Sequence, residues 1–150
     1  MLKRLQDWLG SAPRSGTERD PEQERLHAAA LLMMEAARAD LDASEVEVRT
    51  IDSILQQQTG LSAAQAERLR RAAGEDLDRS VSLHETLDRI NAEFDRDRKR
   101  ALMQNLWEVV YADGRLDPHE EQRVRKLSEL LHIPHEDFIR TKLAVEERVS

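Results

Sequence analysis

The sequence predicts an all-α fold: a compact bundle of about seven to eight helices around a pseudo-duplicated helix–loop–helix core. Three observations carry this. Ala, Leu, Glu, Arg and Gln dominate the composition, and all are good helix formers. Five glycines and four prolines in 150 residues leave little material for sharp turns, and no run of five or more residues alternates polar and apolar positions with β-branched content. A third pattern, helix end, acidic loop, helix start, occurs twice at one fixed offset. The length suits one domain, which at this size buries roughly 68–70% of its unfolded surface and needs no staple.

The elements follow in order. Residues 2–9 read as a short amphipathic helix with Leu2, Leu5, Trp8 and Leu9 on one side. Gly10 to Asp20 has linker composition and is expected to be mobile, so residues 1–20 stand apart from a helical domain over 21–150. That first helix could dock on the domain, pair with a second copy or touch a membrane. Its short length and a net charge near +1 give weak bilayer binding, so packing within the chain or in a homodimer is favoured.

Pro21 follows the cap candidate Asp20 and suits the first position of a second helix, about 21–39, with the stripe Leu26, Ala29, Ala30, Met33, Ala36 and Ala37. Ser44 with Glu47 forms a capping box for a third helix, about 45–58, whose buried face is Val48, Ile51, Ile54 and Leu55, with Gly60 as its stop. Ser62 with Gln65 opens a fourth helix expected to end near Gly74, and Ser82 with Glu85 opens a fifth. A sixth runs from Asp95 or Asp97 to Tyr111, and Gly114 marks the loop after it. Asp117, Pro118 and Glu120 are cap, first residue and third residue of a seventh helix. The eighth starts after Pro134 and fades near Glu147. Trp107, Met33 and Met34 read as core, and Arg96 to Arg100 as a solvated face.

Moving residues 28–54 forward by 73 shows the repeat without a gap. Glu35 falls on Glu108, Ala39-Asp40 on Ala112-Asp113, Ser44 on Asp117 and Glu47 on Glu120. Ile51 and Ile54 fall on Val124 and Leu127, so caps and buried faces coincide. The reading is two pseudo-symmetric helix–loop–helix units, joined by helices within 62–96.

Several chemistries are excluded. There is no cysteine, hence no disulfide framework, thiolate zinc site, thiol nucleophile or iron–sulfur centre. No apolar run approaches the ~20 residues of a membrane span, and the charged start is no secretory segment, so the expected address is the cytoplasm. A net charge of −7 disfavours nucleic acid and favours cations or basic partners. There is no phosphate loop, nucleophile elbow or zinc-protease motif.

What remains is oxygen. The corners carry Glu35, Asp40, Asp42 and Glu47 in the first unit, and Glu108, Asp113, Asp117, Glu120 and Glu121 in the second. Carboxylates at a helix end, over a loop and in the next first turn suit a hard cation, Ca²⁺, Mg²⁺ or Mn²⁺. Glu35, Asp40, Glu108 and Asp113 lie near helix C-termini, where the macrodipole disfavours an anion, and a cation would relieve that. The spacing is not that of an EF-hand, so a site would draw on more than one segment. The alternative is that Glu47 and Glu120 are capping residues and the other acids are solvated corners. A zinc site at His119, His132 or His135 is the weaker idea.

The segments Ala37–Asp40 and Tyr111–Glu121, with the tail Leu131–Arg140, resemble the TerB-like tellurite-resistance family over about residues 24–145. The match looks closer to the stand-alone branch than to the tellurite-operon protein. The resemblance implies a compact helical fold with a duplicated core, acidic residues proposed to chelate a divalent cation, and no demonstrated enzymatic activity. It also implies a link to tellurite and chemical stress, to an unidentified protein partner and to membrane-associated complexes, which would place the protein beside the inner membrane. Carried over, the metal-binding acids are Asp40 and Glu47 in the first half and Asp113, Asp117 and Glu120 in the second, with Glu35 and Glu108 as helical neighbours. Leu41 replaces the motif glycine and Ser44 a usual acid, which weakens the first half-site. The expectation is a cation-binding sensor or adaptor. The rivals are an interaction module without metal and a metal-dependent hydrolase, which would need an open coordination position and a general base.

Overall fold

The computed structural model describes residues 21–38, 44–78 and 83–149. All the regular structure among them is helical: α1 (Pro21–Ala37), α2 (Glu45–Thr59), α3 (Ala63–Asp78), α4 (Leu83–Glu93), α5 (Arg96–Val110), α6 (Pro118–Leu130) and α7 (His135–Val149). The helix read over 2–9, the linker after it, the Asp40–Ala43 loop and the cap at Ser82 lie outside the described residues.

The helix α1 is the centre of the bundle and packs on α2, α3, α4, α5 and α6. The one-sided stripe read from its sequence is too narrow. Ala28 and every residue from Ala30 to Ala37 are buried, whereas Leu26 and Ala29 of the stripe are half-buried. Walled by five neighbours, the C-terminal half of the helix, Ala30 to Ala37, is buried on all sides, and the apolar run that ends at Met34 supplies much of the surface for that. Its repeat partner α5 packs on α1, α2, α6 and α7. Trp107 of α5 is fully buried, with Phe138 of α7 edge-on at 5.1 Å between ring centres. The two repeat-related helices thus form the core pair. The connecting helices lie outside it, α3 against α1 and α2, α4 against α1.

Most boundaries follow the cap chemistry. Asp95 caps α5 by accepting from the Arg98 N–H at 2.8 Å, and Ser62 and Gln65 exchange bonds of 3.1 and 2.9 Å at the start of α3. Gly60 ends α2 at φ 75°, a left-handed conformation that glycine adopts without a side-chain clash. Gly74 does not end its helix. It is buried inside α3, where a Cβ would lie 3.3 Å from Met34 Cε, so its role is close approach to α1.

The basic stretch at the start of α5 is not merely solvated. Arg96 donates to Asp137 at 3.0 Å and Glu136 at 2.5 Å, and Asp137 is only 1% exposed. The guanidinium holds the Asp137 carboxyl below the usual carboxylate range. Lys99 donates to Asn91 Oδ1 and to the Leu131 carbonyl, each at 2.9 Å, which closes the C-terminal end of α6 against α5.

Candidate functional site

The two corners, α1–α2 and α5–α6, begin alike. In the first, Ser44 Oγ accepts from the Glu47 N–H at 3.1 Å, and the Ser44 N–H donates to Glu47 Oε1 at 3.1 Å. This is the expected capping box, complete. In the second, Asp117 caps α6 one residue earlier, accepting from the His119 N–H at 2.7 Å. Glu120 holds the position of Glu47, yet it does not make the reciprocal bond back to its cap.

Glu120 turns to Glu47 instead. The repeat-related acids are 7% and 6% exposed, and their carboxyls meet where the N-termini of α2 and α6 come together. The two acids that coincide in the sequence repeat thus face each other in the fold. Burial is the main reason the Glu120 carboxyl is pushed up to about 9. The hydrogen bond and charge of Glu47 come next, then the charges of Asp117 and Asp113. Glu47 Oε2 is buried with no hydrogen-bond partner.

The other expected acids are placed differently. Asp113 is exposed and accepts from the Arg115 N–H at 3.0 Å across the turn that Gly114 makes at φ 85°. Asp117 and Asp113 border the pair and act on it by charge. Glu35 is turned to Arg123 of α6, and Glu108 to Arg148 of α7 at 2.6 Å. These arginines answer the unfavourable helix-end position that otherwise asked for a cation. Glu121 pairs with Lys142 at 2.7 Å. Asp40 lies outside the described residues. Among the described residues, no group of three or more His, Asp or Glu side chains stands where it could hold a metal ion. His135 lies over the Phe138 ring, and His132 ends α6 at φ 56°.

The sequence reading missed Arg123 and Arg148. They lie 88 and 40 residues from their partners, and nothing in a charge-rich chain marks such distant pairs. It also missed that Glu47 and Glu120 face each other, although their equal position in the repeat was the available signal.

The family model described as "Tellurite resistance protein TerB" matches residues 25–143. The chain belongs to the TerB family. The match takes in both corners, so the pseudo-duplicated core is the part of the chain shared with the family. A solved structure with the same TerB-like fold is a protein of unknown function, PG1108 from Porphyromonas gingivalis W83. It aligns with a TM-score of 0.62 at 19% identity, over 89% of this chain and 98% of that one. No curated protein matches the chain. No helix among the described residues of this TerB-family chain is long and apolar enough to cross a membrane.

Proposed function

We propose that this TerB-family domain is a non-enzymatic module that binds one divalent cation at Glu47 and Glu120, with Asp113 and Asp117 at the rim. The supporting observation is the buried carboxyl pair with an oxygen that lacks a donor. Such a pair favours whatever brings positive charge, and oxygen ligands of this kind suit Ca²⁺, Mg²⁺ or Mn²⁺. The ion would displace the shared proton and tie the first turns of α2 and α6 together. The two halves would then be more firmly joined when loaded, and a partner protein could read that state. This is how a sensor or adaptor in metal or chemical stress would work, as the family association with tellurite suggests. A cytoplasmic or inner-membrane-peripheral place belongs to the same proposal.

A second reading has its own support. Arg123 and Arg148 already neutralise Glu35 and Glu108, leaving fewer free acids for a metal. On that reading the shared proton is permanent, and the domain is an interaction module held together by it.

Calorimetric titration of chelator-treated protein with Ca²⁺, Mg²⁺, Mn²⁺ and Zn²⁺ separates the two. The cation reading expects micromolar binding of a hard ion, release of about one proton per ion near neutral pH, and loss of both in Glu120→Gln. Absence of binding by all four ions would leave the interaction module standing.

A further inference from the structure

A second feature lies away from the carboxyl pair and does not depend on it. The first turns of α1, the last turn of α2 and the start of α5 enclose a cleft of about 320 Å³. Its walls include Leu26, Ala29, Phe94, Ala101 and Leu102, with the Gln58–Asn105 pair beside them. Leu26, Ala29 and Phe94 belong to the core surface, yet each is only partly covered. This volume is at the lower end of what pockets for small organic groups enclose, roughly 300 Å³ and above.

We propose that the cleft receives the chain's own N-terminal segment, residues 2–9, with Trp8 as the anchor. Three observations choose this occupant. The spacing of Leu2, Leu5, Trp8 and Leu9 in the sequence would put them on one face of a helix, in a segment far shorter than the ~12–15 residues an isolated helix needs in water, so it requires a surface. The cleft is built on the first turns of α1, the helix into which the segment leads. The intervening Gly10–Asp20 is 11 residues long, which spans roughly 18 Å as a flexible coil and at most about 40 Å extended. A tether of that length holds the segment near the cleft at an effective concentration of the order of millimolar, well above that of a second copy.

The polar edge fits an indole. Gln58 and Asn105 exchange amide bonds of 2.8 and 3.1 Å. Each amide oxygen keeps a second lone pair, which can accept from the Trp8 indole N–H. Arg98 lies over the Phe94 ring at 5.9 Å and closes one side of the cleft.

The test uses the full chain and amide NMR spectra of wild type, Trp8→Ala and Leu5→Asp. These substitutions lie outside the helical domain and leave its folding untouched. The expected result is a set of shifts confined to Leu26, Ala29, Phe94, Ala101, Leu102 and Asn105, the same at high and low protein concentration. A third variant, Ala101→Arg, puts a long side chain into the cleft from an exposed helix position. It should expose Trp8 and raise its acrylamide quenching several-fold, read as the difference from Trp8→Phe. Unmoved cleft resonances would overturn the proposal. So would shifts that vanish on dilution as a dimer dissociates, which would assign the cleft to a second copy. Protection of Trp8 appearing only with anionic vesicles would overturn it in favour of a membrane surface.

Discussion

The two corners carry the same pattern and do different work. At α1–α2 the third helical residue, Glu47, is held by Ser44 and completes a capping box. At α5–α6 the cap is Asp117, which takes the His119 N–H and leaves Glu120 free to face Glu47. One cap residue decides the role of the acid three places on. The serine corner ties its glutamate into the cap, and the aspartate corner leaves a glutamate whose carboxyl is raised, with added negative charge beside it. A repeat in sequence therefore states where residues will be, and the caps state what they will do.

The largest effect is expected where the corners differ in how their helix-end acids are neutralised. Glu35 is buried and held by Arg123, so Arg123→Ala should destabilise the fold by about 2–3 kcal/mol in denaturant unfolding. Arg148 and Glu108 form an exposed pair, and Arg148→Ala should cost less than about 1 kcal/mol. Equal losses would remove this difference between the corners.

Next comes the proton. The Glu120 carboxyl is raised in the fold from 4.5 to about 9. Above the unfolded value the unfolded chain therefore binds fewer protons than the folded one, and stability falls as pH rises through this window. Asp137 acts the other way. Its lowered carboxyl contributes stability above the unfolded value, and this is lost on acidification. In chelator, unfolding midpoints should be greatest near pH 5 and decline toward pH 9. Glu120→Gln should flatten the alkaline decline and gain about 1–2 kcal/mol at pH 8. A midpoint that climbs from pH 5 to 8 would contradict the shared proton.

A smaller effect sharpens the cap comparison. Ser44→Ala removes a complete box and should cost about 1 kcal/mol. Asp117→Ala also loses a cap, but it takes a negative charge away from Glu120. At pH 8 its net cost should be closer to zero and should grow as the solution is acidified, measured by thermal unfolding at both pH values.

The fold was legible because the signals are local. Asp95, Ser44, Ser62 and Asp117 each stand one residue before or within the cap of an observed helix, and Gly60 ends one. Gly74 misled because a glycine needed for close packing looks the same in sequence as one that ends a helix. The burial of the C-terminal half of α1 on all sides was hidden because neighbours on the second and third sides come from distant segments. The candidate site was legible in part. The repeat picked out Glu47 and Glu120 together, whereas their mutual contact and the arginines on Glu35 and Glu108 arise only from tertiary packing.

The most direct test of the central claim is a ¹³C NMR titration of the Glu120 side-chain carboxyl in chelator. The account expects a midpoint near 9 in the intact protein and a marked fall in Glu47→Gln, where the facing charge is gone. A Glu120 carboxyl that titrates at the ordinary value of 4.5 would contradict the account, because the two acids would then be independent solvated caps.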